Sequence, residues 1–349
     1  MIITKTWLEE WLPVSDIASS DIEATLNSIG LEVDNSKTFS IPEGIVVGYV
    51  ESCQKHPDAT KLNICQVNIG TGLRQIVCGG KNVAAGQYVP VATIGAIMPS
   101  GLEIKPVKLR GVDSDGMICS AEEINLPKLN DGILELDDSI GKLEIGKPLN
   151  EYDILNDTMI EIELTANRGD CLSIYGIARD LSAAYDIGLK PFYPEEYSEH
   201  SIGIGRILQF THENIQDVDL NYRAIEYKPF ELPLKIRFRL ALIELLEDNP
   251  LNNIINYTTY TTGVILRNYT KSAFLHDKNG KGHIKIENDN GKVKVTGHDK
   301  TLSIVGIIQD DDTRATNDPQ TVVLEASYID PKNVSQLVYE NNFIQIFSI

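Results

Sequence analysis

Residues 161–185 read EIELTANRGDCLSIYGIARDLSAAY and combine three local patterns. The first five residues are strand-like, and the segment after them carries Asn167, Arg168 and Asp170. Apolar side chains then recur at helical spacing on one face. The residues of that face are Leu172, Ile177, Ala178 and Leu181. The stretch therefore predicts a strand, a polar turn and an amphipathic helix.

The residues between Pro42 and Tyr152, just before this stretch, have a pattern typical of strands and turns. Short β-rich runs there are separated by the turn-forming residues Gly, Asn, Asp and Pro. This pattern is typical of a small barrel or sandwich. The runs are IVVGYV, ICQVNI, RQIVC, YVPVAT, GMICS and GILEL. Upstream of the block, Ile22, Leu26 and Ile29 recur at helical spacing and predict a short amphipathic helix.

The second half of the chain has its own mixture of patterns. Residues 191–207 are polar and poor in periodic apolar side chains, so we place a linker or boundary there. A new region then opens with a helix over 233–247, followed by a hairpin over 283–296 and by strands in TLSIVGIIQ and TVVLEASYID. The sequence stops at NNFIQIFSI without a turn signal, which we interpret as an interrupted domain.

Length and charge restrict the class of protein. At roughly 100–200 residues per domain, 349 residues predict two or three domains. The net charge of −19 excludes non-specific binding of phosphate backbones over the whole surface, so any nucleic-acid contact must be local. Five cysteines without a CxxC pair predict reduced, buried thiols and a cytoplasmic protein. Apolar runs stay short of the roughly 18 residues of a membrane span, so we expect no membrane contact.

Two short segments are candidates for ligand binding. Residues 104–112, IKPVKLRGV, form a basic patch that is either a solvated strand edge or a contact for single-stranded or looped RNA. Its cations are Lys105, Lys108 and Arg110. Residues 76–83, IVCGGKNV, are either a tight turn or a ligand contact in which Lys81 meets a phosphate.

Other polar residues have structural explanations. His56 in KHPDATKL has no second ligand at metal-binding spacing, so we predict either a surface histidine or a hydrogen-bonded one, and no metal. In TANRGDC, a helix N-cap and a pair between Arg168 and Asp170 account for the composition without chemistry. Glu325 interrupts the apolar strand VVLEASY, which places its carboxylate either at an exposed edge or in a pocket.

Several segments match the pattern of one protein family. TWLEEWL and LNSIGLEV lie near the start, and LTANRGDCLSIYGIARDLSAAY follows the pattern T-P-N-R-x-D-C-L-S with Ala166 in place of proline. Between them, VVGYVESCQKHPDATKLNICQVNIG, QIVCGGKNVAAGQYVPVA and KLRGVDSDGMICSAEEI resemble a tRNA-binding barrel that also occurs in other proteins. Together they resemble the beta subunit of bacterial phenylalanyl-tRNA synthetases, strongly over 1–190 and more weakly over 205–349.

The resemblance implies an α+β multidomain architecture. An OB-fold barrel is inserted into a small α+β domain and is followed by an α+β editing-type domain of the B3/B4 kind. The implied boundaries are 1–39 with 152–192 for the discontinuous N-terminal domain, 40–151 for the tRNA-binding barrel, and 205–349 for the editing-type domain. We expect the last of these to be truncated at its C-terminus.

The same resemblance implies a function. The chain would be the N-terminal part of the beta subunit of phenylalanine-tRNA ligase, which attaches phenylalanine to tRNA(Phe) as two alpha and two beta subunits. In the family ATP binding and aminoacyl transfer belong to the alpha subunit, so ATP and Mg²⁺ are expected for the complete enzyme. We expect no cofactor and no aminoacylation site in this part. The alternative is a non-enzymatic tRNA-binding or scaffold protein that shares the barrel.

The barrel carries the tRNA-binding candidates. Cations in three of its segments are the expected phosphate contacts, and two polar residues are their neighbours. The expected phosphate contacts are Lys61, Lys81, Lys105, Lys108 and Arg110, with Asn82 and Ser114 as the polar neighbours.

The later region carries the editing candidates, since the family hydrolyses tyrosine mischarged onto tRNA(Phe) in this domain. The candidates are Glu325, Ser272, Gly306 and Thr258. Ser272 stands where the family has histidine, and Gln309 with Asp310 stands where it has two glycines. Gln309 and Asp310 add side chains where backbone must approach the aminoacyl group, and the loss of histidine removes a polar positioning residue, so we expect editing to be weak or lost.

Overall fold

The fold comes from a computed structural model that describes residues 1–191, 204–213, 215, 218–276, 278, 280–289, 292–297 and 300–329. The strands of the described residues are, in chain order, β1 (Ile2–Thr4), β2 (Glu32–Thr38), β3 (Ile45–Lys55), β4 (Asn63–Asn68), β5 (Leu73–Cys78), β6 (Tyr88–Ala92), β7 (Val107–Leu109), β8 (Val112–Ser114), β9 (Met117–Ile118), β10 (Thr158–Glu163), β11 (Leu208–Glu213), β12 (Val218–Tyr227), β13 (Ile265–Thr270), β14 (Leu275–His276), β15 (Gly282–Asp289), β16 (Lys292–Gly297), β17 (Lys300–Ile304), β18 (Ile308–Gln309) and β19 (Gln320–Ile329). The α-helices of the same residues are α1 (Lys5–Leu8), α2 (Ser19–Ser28), α3 (Ile174–Tyr185), α4 (Leu234–Leu242) and α5 (Pro250–Thr262).

The first sheet joins two segments that are far apart in the sequence. β10 lies between β1 and β2 and pairs antiparallel with both. Trp7, from α1, is fully buried in the same core as Cys171 and Ile174, which lie on the far side of the β-rich block. The chain thus leaves this core after β2 and returns to it at β10, because only the two segments together bury their apolar faces.

Helix α3 closes this core and follows the predicted pattern with one shift. The predicted face residues Ile177, Ala178 and Leu181 are fully buried. Leu172, which we also expected on the face, precedes the helix, because Ser173 is the N-cap and accepts a hydrogen bond from the backbone N–H of Gly176 at 3.0 Å.

Five strands of the β-rich block form a nearly closed, barrel-like sheet in the order β5-β4-β3-β6-β9. Alternate side chains of β4 point inward, so Cys65 and Val67 are fully buried in the barrel core. A Cβ at Gly48 would lie 2.5 Å from the Val91 side chain, so glycine is needed where β3 and β6 approach. The predicted run GILEL forms no strand, although Leu136 makes an isolated bridge with Tyr88.

The described residues from 204 onward form two sheets and two α-helices. One sheet has the order β11-β15-β16-β17-β18, with β14 on β15, and the other has the order β12-β19-β13. The predicted hairpin is confirmed by the antiparallel pairing of β15 with β16. Its Asn290-Gly291 turn, most of the linker at 191–207 and the final residues NNFIQIFSI lie outside the described residues.

The helix predicted over 233–247 is shorter than expected and does not open the region, because β11 and β12 precede it. α4 ends at Leu242, and Glu244 adopts a left-handed backbone conformation with φ of 58°. This turn directs Ile243 and Leu245 onto the core of the first sheet. Tertiary burial of two apolar side chains therefore outweighed local helix propensity.

Helix α5 packs against the core of the first sheet, whereas α4 buries its apolar side chains in the core that contains Phe39 and Leu155 and contacts α1 through Arg239. The Trp7 ring stacks on Tyr257 at 5.1 Å, and the buried Arg239 guanidinium lies 2.7 Å from a Glu10 carboxylate oxygen. Burial opposes ionisation of Glu10, but Arg239 and Lys235 outweigh it and lower the pKa of that carboxyl. The start of the chain and the segment of α4 and α5 therefore pack against each other. In the described residues, no helix is long and apolar enough to cross a membrane.

Candidate nucleic-acid interface and polar cleft

The basic patch forms a hairpin that stands apart from the barrel sheet. β7 and β8 pair only with each other in the strand pairings of the described residues, and Arg110 and Gly111 form the turn between them. Both turn residues have positive φ, 49° and 87°, as a type I′ turn requires. Arginine rarely adopts this conformation, since its Cβ approaches the backbone, so the turn holds Arg110 in a strained position at the hairpin tip.

The cations of this hairpin and its approach face the solvent. The side chains of Lys105 and Lys108 are 63% and 70% exposed, and Arg110 is also exposed. Lys105 pairs with Glu103 at 2.7 Å and Lys108 with Asp113 at 3.6 Å. Exposed pairs of this kind contribute little to stability, so their cations can exchange carboxylate partners for phosphate at small cost.

The base of the hairpin is fixed to β5. Gln75 donates a hydrogen bond to the backbone carbonyl of Asp113 at 2.8 Å, and the Ser114 hydroxyl accepts one from the N–H of Val77 at 3.0 Å. Ser114 is only 1% exposed. Its hydroxyl thus joins hairpin to barrel, rather than facing solvent beside the cations as a polar neighbour would.

His56 fixes the tip of the same hairpin. The side chain is 4% exposed, its Nδ1 accepts from the N–H of Asp58 at 3.1 Å, and its Nε2 lies 3.2 Å from the carbonyl of Leu109. Because Nδ1 accepts, Nε2 carries the proton and donates to Leu109. Of the two predicted alternatives, the structure shows the hydrogen-bonded histidine and not the surface one. The connection from β3 to β4, which also carries the exposed Lys61, therefore lies against the hairpin.

The segment IVCGGKNV lies on another loop of the barrel. Lys81 is exposed, but the Asn82 side chain accepts from the N–H of Ile133 at 2.9 Å and donates to the carbonyl of the same residue at 3.0 Å. A Cβ on Gly132 would lie 2.0 Å from Asn82 Oδ1, so the loops approach as closely as glycine allows. Asn82 therefore clamps two loops together, and Lys81 projects from that clamp.

The last region contains a polar cleft of about 290 Å³ between α5, β13 and the β18 segment. Amide and guanidinium groups dominate its lining. The polar residues that line it are Asn252, Asn256, Arg267, Asn268, Gln309, Asp311 and Arg314. Gln309, which stands where the family has glycine, donates to the carbonyl of Asn268 at 2.5 Å and so bridges the cleft wall to β13.

Glu325 lies behind this cleft and not in it. The residue is fully buried on β19, the central strand of its sheet, which corrects the expectation of an edge or pocket position. Its carboxylate is 3.2 Å from the Arg267 guanidinium and accepts hydrogen bonds from the hydroxyls of Tyr222 and Tyr269, both at 2.9 Å. Burial, and then the neighbouring carboxylate, raises the pKa of both tyrosines.

The other editing candidates are not gathered around Glu325. Thr258 is on α5 and donates to the carbonyl of Ile254 at 2.8 Å, as helical threonines often do. Ser272 is exposed after β13, 3.1 Å from the Thr270 hydroxyl. Gly306 has φ of 74° in the turn before β18, next to a cleft residue. Gly306 adjoins the cleft lining in sequence, and Glu325 reaches it through Arg267.

Sequence reasoning missed the partners of Glu325. Arg267 lies within the otherwise uncharged strand ILRNYT, directly opposite Glu325 on β19. A basic residue in one apolar strand and an acidic residue in another are the signal that would have predicted a buried ion pair.

Asp170, Cys171 and Asp180 place three candidate cation ligands within 4.8 Å of one another. Arg168 contacts both carboxylates, and Arg179 lies 2.8 Å from Asp170. Two guanidinium groups therefore already compensate the carboxylates, as the predicted Arg168–Asp170 pair indicated. Burial raises the pKa of the Cys171 thiol to about 12, so it is a poor metal ligand at neutral pH.

Comparison with known proteins agrees with these patterns. A family model described as "Putative tRNA binding domain" matches residues 45–143, the barrel and its hairpin. The phenylalanine–tRNA ligase beta subunit of Sulfurimonas denitrificans is 47% identical over 342 residues, which cover 98% of this chain and 44% of that subunit. The corresponding subunit of Campylobacter jejuni strain RM1221 is 51% identical over 333 residues, covering 95% of this chain and 43% of that subunit.

A solved structure, the C-terminal domain of Plasmodium vivax p43, aligns with 32% of this chain and 59% of its own at 26% identity. Its TM-score of 0.23 is too low to support an argument about the fold. The chain spans less than half the length of the curated relatives above. Nevertheless, the identity to these relatives is near 50% over almost the whole of this chain. Over almost its whole length, the chain is similar to phenylalanine–tRNA ligase beta subunits.

Proposed function

We propose that this chain contributes the tRNA-contacting barrel of a phenylalanine–tRNA ligase beta subunit, and that the β7–β8 hairpin makes the contact. The observation that carries the proposal is the exposed Arg110, held at the hairpin tip in a strained left-handed conformation. Strain of this kind is retained where the position of the side chain matters. In an acidic protein, this local group of cations is where phosphates would bind.

The proposed contact has two parts. Lys108 and Arg110 on the hairpin, with Lys105 before it, form the first part, and Lys61 joins them because His56 holds its connection against the hairpin. Lys81 forms the second part on a separate loop. Asn82 and Ser114 act by positioning, through the loop clamp and the hairpin base.

Salt-dependent binding of tRNA(Phe) tests this proposal. For Lys108→Ala we expect weaker binding and a salt slope, the change of log affinity with log salt, that falls by about one. The control is Lys228→Ala, an exposed lysine outside the barrel, which should change neither quantity. Unchanged affinity and slope for both Lys108→Ala and Lys61→Ala would refute the hairpin contact.

The remaining assignments follow from the family and are proposals of the same kind. They include the OB-fold insertion between 1–39 and 152–192, the editing-type domain over 205–349 and the cytoplasmic location. The complete enzyme would pair this subunit with an alpha subunit, as two alpha and two beta chains, and would use ATP and Mg²⁺ to attach phenylalanine to tRNA(Phe). Isolated, the 349 residues should give no phenylalanine-dependent pyrophosphate exchange.

We further propose that the editing-type region has weak or no hydrolytic activity. Two observations support this. The carboxylate of Glu325 is fully buried and occupied by Arg267, Tyr222 and Tyr269, so a substrate would have to displace an ion pair to reach it. The Gln309 side chain also fills space beside Asn268 where the family pattern leaves glycine.

Deacylation of tyrosyl-tRNA(Phe) by the alpha–beta complex tests the editing proposal. We expect hydrolysis close to the spontaneous rate. As a control, Gln309→Gly combined with Asp310→Gly restores the family's glycine pair and should raise the rate if only the added side chains obstruct the cleft. Hydrolysis at the rate of a competent editor in the unmodified complex, lost in Glu325→Gln, would contradict the proposal.

A further inference from the structure

Two cysteines face each other inside the barrel. Cys53 on β3 and Cys65 on β4 are direct partners in the antiparallel register, and their Sγ atoms are 3.7 Å apart. Directly opposite residues of antiparallel strands have Cα atoms about 4.5 or 5.5 Å apart, depending on the hydrogen-bonding pattern. Both values fall within the range of about 4.4–6.8 Å that disulfides span. The register therefore places the two cysteines at a Cα separation that a disulfide can span.

The two thiols differ in access to solvent. Cys65 is fully buried in the barrel core, whereas Cys53 is half-buried at its margin. Burial, followed by the neighbouring Cys53, raises the pKa of the Cys65 thiol. Cys65 is therefore the less reactive of the two towards a dissolved oxidant, because the thiolate is the nucleophile. Cys53 is the thiol that an oxidant reaches first.

The other cysteines provide internal comparisons. Cys119 and Cys171 are fully buried, and their hydrogen-bonding contacts are to oxygen acceptors or to Arg168. Cys78 lies in the same core as Cys65, but its sulfur accepts from the N–H of Gly80 at 3.3 Å. In the described residues, the hydrogen-bond geometry joins thiol to thiol only at Cys53 and Cys65.

We propose that Cys53 and Cys65 form a reversible disulfide site, oxidised by a small peroxide. The Cys53 thiolate attacks one oxygen of hydrogen peroxide, which breaks the O–O bond, gives the sulfenic acid and releases hydroxide. The Cys65 sulfur then attacks the Cys53 sulfur and displaces hydroxide, which leaves as water with the Cys65 proton. Overall, two thiols and one hydrogen peroxide give one disulfide and two waters.

The disulfide would close the connection between β3 and β4 at its base. This connection carries His56, which holds the tip of the β7–β8 hairpin, and the exposed Lys61. Oxidation would therefore restrict a segment that the proposed tRNA contact uses. The site itself does not depend on tRNA binding, because it rests only on the geometry of the two thiols.

Peptide mapping of the intact chain tests the site. The chain is treated with hydrogen peroxide, denatured, alkylated and digested. We expect a peptide that links Cys53 to Cys65, about 2 Da lighter than the sum of its reduced parts, and its loss after dithiothreitol. The linked peptide should disappear in Cys53→Ser and in Cys53→Ala, and should persist in the matched variant Cys119→Ser.

Three outcomes would overturn the proposal. Cys53 could convert to sulfinic acid while Cys65 remains fully alkylated, which would show that Cys65 cannot reach it. A link from Cys78 to Cys53 or to Cys65 would place the reactive pair elsewhere. Full alkylation of both thiols after peroxide treatment would show that Cys53 is not accessible. Each of these outcomes is read in the unmodified chain, so none depends on whether a variant folds.

Discussion

The β7–β8 hairpin and the β12-β19-β13 sheet differ in where they place charged side chains. The hairpin holds Lys108 and Arg110 in solvent, and a neutral group, the Ser114 hydroxyl, attaches it to the barrel. The sheet instead buries Arg267 against Glu325, with two tyrosine hydroxyls on the same carboxylate. The sheet therefore uses Arg267 for an internal ion pair, whereas the hairpin leaves its cations exposed to solvent.

The difference shows which charges can act on a partner. A buried ion pair has lost its hydration on folding, and separating it again leaves two uncompensated charges in a medium of low dielectric constant. An exposed pair such as Lys108 with Asp113 keeps most of its hydration and is easily exchanged. Recognition of phosphate is thus expected at the hairpin, and structural stabilisation is expected at Glu325.

The largest effect should come from opening the buried pair. Arg267→Ala leaves the Glu325 carboxylate buried without its counter-ion, so we expect a loss of about 3–5 kcal/mol in the free energy of unfolding. Urea denaturation measures it. The matched control is Arg179→Ala, which removes an exposed pair with Asp170 and should cost less than about 1 kcal/mol. Equal costs for both variants would mean that Glu325 is hydrated or protonated, and the comparison would fail.

A smaller loss in the free energy of unfolding is expected when the contact between His56 and the hairpin is removed. His56→Ala leaves the carbonyl of Leu109 and the N–H of Asp58 without this partner, so we expect a loss of about 1–3 kcal/mol. Affinity for tRNA(Phe) should fall as well, since the hairpin tip is no longer fixed.

His56→Gln serves as the control for this change, because its amide can still donate to Leu109. It should recover part of both stability and affinity. If His56→Ala unfolds more easily but binds tRNA(Phe) normally, the histidine stabilises the barrel without positioning the hairpin.

The smallest effect separates stability from binding at a single residue. Arg110→Gly relieves the left-handed strain, so the free energy of unfolding should rise by about 1 kcal/mol, while tRNA affinity falls because a cation is lost. Arg110→Lys retains both charge and strain and should change neither by much. A Gly variant that binds tRNA(Phe) as tightly as the unmodified chain would remove Arg110 from the contact.

Local pattern predicted the hairpin at 283–296 and most of the barrel strands, because alternation of apolar side chains expresses one buried face directly. It failed at the end of α4, where Ile243 and Leu245 turn onto a core formed by residues from the start of the chain. A window of neighbouring residues contains no information about that distant core.

For the candidate site, too, the sequence predicted some features and missed others. The sequence alone identified the cations of the hairpin, since charge and spacing are local properties, and it identified the family through segments spread along the chain. Only the tertiary structure decided that Ser114 and Asn82 serve internal contacts and that Glu325 meets Arg267, 58 positions away. The reason is physical: burial and hydrogen-bond partnership depend on which distant strands meet, and that is set by the packing of the whole chain.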